Sequence, residues 1–207
     1  MRLARPQRLT RDESRAQTRE RLLEAARRMF ARGGYGGASI DTISAEAGYS
    51  KGAFYGNFES KEAIFLELLA RHMTREAEQL TRLVESGRTA GDILDSLDLW
   101  LEQMNADADW ALLAMELQLQ ARRSPTFAAE YDTLYARHRT RLGKLIAHLF
   151  ALSGKTPPAP GVDLAAALMA LGHGLVLQRT TYGETGDPAG VLIKTVLRSL
   201  IAASPKA

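Results

Sequence analysis

The apolar positions of this chain recur at spacings of three and four, the period of amphipathic helices. Thr10 and Glu13 stand at capping-box spacing, so a first helix is expected to begin there. Leu22, Leu23, Ala26, Met29 and Phe30 form its apolar face, and Gly33-Gly34 is expected to stop it. Ser39 stands as N-cap of a second, short helix with Ile40, Ile43 and Ala47 as its buried stripe and Gly48 at its end. Ser50 can cap a third segment over residues 51–57, and Ser60 a fourth helix. The fourth runs through Ile64, Phe65, Leu68, Leu69, His72, Met73, Leu80, Leu83 and Val84 to Gly87.

Helices are further predicted over residues 92–105, 108–122, 126–152, 163–182 and 188–203. Ser124-Pro125 separates two of them, because proline suits a first turn and not a helix interior. Residues 153–161, rich in proline and glycine, read as a loop. No segment alternates like a strand, so the expected class is all-α. Three divisions are expected: a disordered basic arm over 1–9, a helix-turn-helix domain over 10–61, and a larger helical domain over 62–207.

Charge separates these regions. Residues 1–61 hold 12 Lys/Arg against 7 Asp/Glu, and residues 62–207 hold 15 against 17. A basic end on a slightly acidic body is suited to a polyanion, or is a solvated charged tail. There is no cysteine, which excludes thiolate chemistry and disulfides and fits a reducing cytoplasm. Neither a signal peptide nor a membrane span is expected, and the apolar stretch 162–177 reads as a buried helix.

Residues 30–69 carry the function. Two short helices joined at Gly48 have the layout of a helix-turn-helix. Phe54 and Phe58, four apart, anchor the second helix inwards. Lys51, Gly52, Ala53, Tyr55 and Asn57 are then left facing outwards, where lysine, tyrosine and asparagine reach phosphates and base edges. Gly52 and Ala53 are small enough to let the helix sit deep in a major groove. The pattern alone also fits a helical hairpin with a polar surface.

The residues go further than the pattern. Gly34-Tyr35, Ser39, Ile43-Ser44, Ala47-Gly48-Tyr49-Ser50, Gly52-Ala53-Phe54-Tyr55, Asn57-Phe58 and Ser60-Lys61-Glu62 run in register over about thirty residues. This string resembles the TetR family of bacterial transcriptional repressors. It departs from the family pattern at Tyr49, Gly56 and Asn57. Gly56 weakens its helix by about 1 kcal/mol relative to alanine. The departures are expected to alter site preference and to leave binding intact.

The resemblance implies double-stranded DNA as partner. Ser39 would cap the second helix and touch phosphate, and Ser50, Lys51, Gly52, Ala53, Tyr55 and Asn57 would face the groove. Lys61 would meet phosphate at the start of the fourth helix. The arm with Arg2, Arg5 and Arg8 is either a minor-groove contact or a solvated tail. The resemblance also implies a homodimer built by the last two helices, with Leu164, Leu168, Leu171, Gly172, Leu175, Val196, Leu197 and Leu200 at the interface. It implies a pocket for a small-molecule effector of unknown identity, whose wall would draw on Trp100, Met104, Trp110, Met115, Tyr131, Tyr135, His138, Met169 and His173. Each of these side chains is also compatible with plain core. The fourth helix, joining both domains, would transmit the signal.

The expected function is a ligand-responsive repressor that binds a palindromic operator and is released by a small molecule. An activator on the same fold and a helical protein-interaction module are the alternatives. An enzyme is not expected. The four histidines, His72, His138, His148 and His173, lack zinc-motif spacing, and Gly33-Gly34-Tyr35-Gly36-Gly37 follows no strand and lacks a Lys-Ser/Thr. No catalytic residue, metal or cofactor is therefore expected.

Overall fold

The structure, a computed structural model, describes residues 10–87, 89–105, 108–182 and 189–207, without the side chains at 98–99, 101–105, 108–109, 111, 179–182 and 189. The arm 1–9, with Arg2, Arg5 and Arg8, lies outside the described residues. The elements in order are α1 (Arg11–Gly37), α2 (Ile40–Ala47), α3 (Lys51–Tyr55), α4 (Lys61–Ser86), α5 (Ala90–Asn105), α6 (Ala108–Arg123), α7 (Pro125–Leu152), α8 (Gly161–Tyr182) and α9 (Ala189–Ala203). Among the described residues there is no strand beyond one isolated bridge, Lys155 to Lys206. The protein is all-α.

The chain divides into two units, Met1–Leu68 and Leu69–Ala207. The division falls inside α4. Ile64 and Phe65, in the first turns of α4, are fully buried, and Phe65 meets the Phe30 ring edge-on at 4.4 Å and the Tyr35 ring at 5.4 Å. Those turns therefore complete the core of the first unit, together with Leu22, Leu23, Ala26, Ile43, Phe54 and Phe58.

Caps set the helix starts. Thr10 and Glu13 form the reciprocal capping box that their spacing predicts. Gly34 does not end α1 outright. It adopts φ 67°, ψ −177° and kinks the helix, and a short helical piece continues to Gly37. Ser39 exchanges bonds with Thr42, Ser50 accepts from the Ala53 N–H at 3.2 Å, and Ser60 accepts from Ala63 at 3.1 Å. Pro125 opens α7, and Ser124 makes no side-chain cap there.

In the second unit α7 packs on α8, α5 on α9, and α6 on both α7 and α8. Val84, Ile93, Leu94, Leu149, Phe150, Leu164, Leu197 and Ile201 form one core cluster. The α7·α8 contact depends on glycine. A Cβ at Gly143 would stand 2.7 Å from Val162 N, and one at Gly161 would stand 2.3 Å from the Gly143 carbonyl oxygen. Lys155, in the α7–α8 loop, donates to the Ser204 carbonyl at 2.7 Å and so helps to satisfy the end of α9.

The apolar helix α8 differs from the sequence expectation. Its window Gly161–Gln178 is long and apolar enough to cross a membrane by length and composition, yet only 11% of it is buried. One side meets α6, α7 and α9, while Val162, Ala167, Ala170 and Leu177 remain exposed.

Candidate nucleic-acid interface and ligand cavity

The turn between α2 and α3 is made by Gly48, which takes φ 76°, ψ 27°, the left-handed conformation that costs glycine least. Phe54 and Phe58 are buried and meet at 5.7 Å, so the inner face of α3 is fixed. The outer face is open to solvent: Lys51 and Gly52 are exposed, Tyr55 is 52% exposed, and Ala53 is half-buried. Lys51 Nζ lies 3.0 Å from the Asp41 carboxylate, which holds its ammonium charged above the ordinary lysine range by a hydrogen bond and by charge. Both groups are exposed, so the pair contributes little and yields readily to a phosphate.

Ser39 and Ser50 are exposed, and each hydroxyl already serves as a helix cap. Asn57 is half-buried; its amide donates to the Ala53 carbonyl at 2.9 Å, and its Oδ1 has no partner. Lys61 is committed inwards. Its ammonium donates to the Tyr35 and Ala38 carbonyls at 2.9 and 3.0 Å and lies 4.0 Å from the centroid of the Tyr35 ring. Beside it the Tyr35 hydroxyl donates to Glu62 at 2.5 Å. Burial and that carboxylate push the Tyr35 hydroxyl well above its ordinary value. Burial pushes the Glu62 carboxyl up, but bonds from Tyr35, its own backbone N–H and Ser60, with Lys61 nearby, outweigh it and leave the group below the ordinary range.

Two arginines that motif reading missed hold the end of α3. Arg15 donates to the Gly56 carbonyl at 3.0 Å. Arg19 donates to the Asn57 carbonyl, pairs with Glu67 and lies 4.1 Å over the Phe58 ring. Cations at the α3 C-terminus satisfy carbonyls that a five-residue helix cannot satisfy itself. No local motif marks them, because the contacts join residues far apart in sequence.

The second unit contains a cavity of about 240 Å³. Of the side chains expected in a pocket wall, Trp100, Trp110, His138, Met169 and His173 line it. Met115, Tyr131 and Tyr135 are not among the lining residues. The buried Tyr131 instead stacks on Phe127 and on Tyr135, with centroids 6.2 and 5.5 Å apart. The side chain of Met104 lies outside the described residues. The lining also includes His72 and Glu76 on α4, which the sequence reading did not select. The signal was present: Glu76 interrupts the stripe Leu69, His72, Met73, Leu80, Leu83 with a charge.

The residues expected at a dimer interface separate into groups. Leu164 and Leu197 are core, and Leu200 packs against that core. Leu168, Gly172 and Leu197 line the cavity. Leu171 and Leu175 are half-buried, and Val196 is 38% exposed.

Known proteins resemble this arrangement. The HTH-type transcriptional repressor AcnR of Corynebacterium efficiens is 33% identical over 116 residues, 55% of this chain and 56% of that protein. The chain thus spans about half the length of these curated relatives. The nicotine-responsive repressor HdnoR of Paenarthrobacter nicotinovorans is 27% identical over 171 residues, 82% of this chain and 86% of that one. Among solved structures, a TetR-family regulator from Rhodococcus sp. aligns with TM-score 0.72 at 18% identity, covering 90% of this chain and 99% of that one. A regulator from Saccharomonospora viridis in complex with choline aligns with TM-score 0.69 at 24% identity, covering 92% and 100%. At such identities these two speak for the fold. The family description of bacterial regulatory proteins, tetR family, matches residues 22–68, and that of the tetracyclin repressor-like C-terminal domain matches residues 63–203. Together these matches take in the helix-turn-helix and every helix of the second unit, and the chain belongs to the TetR family of bacterial regulatory proteins.

Proposed function

We propose that this protein is a ligand-responsive transcriptional repressor that binds a palindromic DNA operator as a homodimer and is released by a small molecule. The observation that carries the reading is the two-faced α3: Phe54 is fully buried while Lys51, Gly52 and Tyr55 are exposed. A recognition helix needs that division, because a fixed inner face is what presents the outer one to a groove. Lys51, Tyr55 and Ser39 are assigned to phosphates and groove walls, and Gly52 and Ala53 to close approach. Lys61 retains one donor beyond its two carbonyls and is assigned a phosphate with that donor.

The small-molecule response is supported by the cavity and by the likeness to a nicotine-responsive repressor over most of both chains. The single helix α4 carries Ile64 and Phe65 in the core of the first unit and His72 and Glu76 at the cavity wall of the second. A ligand that favours one placement of that helix over another changes DNA affinity by its differential affinity for the two states.

The test is selection of binding sites from a random duplex pool with the purified full-length protein. The expected result is a palindrome whose half-sites lie about one helical turn or more apart. Folded protein that enriches no sequence at low salt would remove the DNA-binding reading and leave a protein-interaction module.

A further inference from the structure

The cavity in the second unit sets a single carboxylate in an apolar wall. Glu76 is the one acid among its described lining residues, and no lysine or arginine is among them. A carboxylate in such surroundings is costly unless a cation or several hydrogen bonds meet it. The structure gives it His138, whose Nε2 lies 3.3 Å away. His138 is itself only 3% exposed, and its Nδ1 has no partner. Nε2 is thus the ring nitrogen engaged with the carboxylate, and Nδ1 is the one left over. His173 on α8 also lines the cavity; burial pushes it below the ordinary histidine value, with Glu76 opposing and His138 adding to the fall. Glu76 and His138 thus border the cavity with no lysine or arginine among its described lining residues.

The aromatic lining points the same way. Trp100 and Trp110 both line the cavity, and His72 stacks on Trp110 with centroids 4.5 Å apart and planes 14° from parallel. Indole faces attract positive charge, most strongly where water is excluded. We propose that the cavity takes a compact apolar organic cation: an amine whose protonated nitrogen meets Glu76 and His138 and whose hydrocarbon body lies among Met73, Leu142, Ile146 and Trp110. A carboxylate ligand would bring a second negative charge beside Glu76, with no lysine or arginine on the described wall to receive it. The inference rests on the reading of this cavity as the effector site and adds the chemical class of the effector.

The test uses three probes of one shape: phenylbutylamine, phenylbutanol and phenylbutanoate at neutral pH, titrated into the full-length protein. The chain's 2 tryptophans both line the cavity, so their fluorescence reports occupancy alongside calorimetry. The amine is expected to bind roughly tenfold tighter than the alcohol, and the acid weakest. Glu76→Gln keeps the shape and is expected to bring the amine down to the alcohol while the alcohol is unchanged, which also reports an intact fold. Glu76→Asp is expected to keep the amine first. An alcohol or acid that binds as well as the amine, a preference that survives Glu76→Gln, or no binding of any probe would overturn the proposal. The same probes, added to protein on its selected duplex, separate the two readings. Release by neutral or anionic compounds alone would sink the cationic class and keep the effector site. Glu76-dependent amine binding that leaves DNA affinity unchanged would do the reverse.

Discussion

The Lys61 ammonium sits 4.0 Å from the centroid of the Tyr35 ring and donates to the carbonyl of that same residue at 2.9 Å. With the second bond to Ala38, the side chain ties the start of α4 to the backbone that leads into α2. A lysine that served phosphate alone would leave stability untouched when removed. Lys61→Met is therefore expected to cost about 2 kcal/mol, from charged hydrogen bonds lost in a half-buried site and a cation–π contact. Hydrogen exchange at the amides of α2 and α3 measures it. Unchanged protection with weakened DNA binding would return Lys61 to a purely phosphate role.

The Tyr35–Glu62 bond makes the first unit sensitive to pH on both sides. Glu62 lies below its ordinary value of 4.5 in the folded protein, so its contribution is present above that value and is lost as pH falls through the folded value. Tyr35 lies above its ordinary value of 10.0, so its contribution is full below that value and is lost as pH rises towards the folded one. Tyr35→Phe is expected to lose about 1 kcal/mol near neutrality. The gap between wild type and variant is expected to close below about pH 4 and again above about pH 10. A gap that stays constant across urea melts from acid to alkali would show that the bond carries no linkage.

Arg15 and Arg19 are expected to matter for DNA binding without touching DNA. They hold the Gly56 and Asn57 carbonyls at the end of a helix too short to be stable alone. Arg19→Ala is expected to cost roughly 1–2 kcal/mol, because a cation–π contact and a part-buried ion pair go together. Exchange at α3 amides should rise, and affinity for the selected duplex should fall for every sequence alike. A loss confined to particular base pairs would place Arg19 in the groove.

Much of this arrangement was legible beforehand, for identifiable reasons. Capping residues and three-and-four spacing mark helix starts and faces, and they located α1 to α4 closely. Lys61 was not legible, because its partners Tyr35 and Ala38 become neighbours only after α1 kinks at Gly34. Nor was the division of the α8 and α9 leucines. Helix α8 is apolar on nearly every side, so periodicity cannot say that Leu164 is core while Leu168 meets the cavity. Glu76 was legible in principle as a charge on an apolar stripe.

Glycines give opposed expectations at two sites. Gly143→Ala would put a Cβ 2.7 Å from Val162 N and 2.8 Å from Gly161 C, both backbone atoms that cannot step aside without moving α8. A loss of about 1–3 kcal/mol is expected, as for overpacked cores. Gly33, in contrast, has nothing within 4 Å of an added Cβ and lies inside α1. Gly33→Ala is expected to gain about 0.5–1 kcal/mol through the unfolded chain. Thermal melts of both variants beside wild type decide it; shifts of the same sign would break the argument.

The proposed homodimer depends on which face of α9 is left over. Ile193 and Leu197 line the cavity, and Leu197 and Ile201 are core, so that face is already used within one chain. Leu192 and Val196, one turn apart, are 37% and 38% exposed, an apolar pair that water meets in a single chain. On α8, Leu177 is 48% exposed in the same way. Side chains of this kind gain roughly 25 cal/mol for each Å² withdrawn from water, which a second copy would provide. The double variant Leu192→Glu, Val196→Glu is therefore expected to raise the dimer dissociation constant by at least about a hundredfold, since two charges would be buried without partners. Its monomer should stay folded, because neither residue supports the core. Leu197→Glu, by contrast, is expected to unfold the second unit. Sedimentation equilibrium with circular dichroism distinguishes these outcomes. A double variant that is folded and still dimeric at wild-type strength would mean that the two copies meet through some other face.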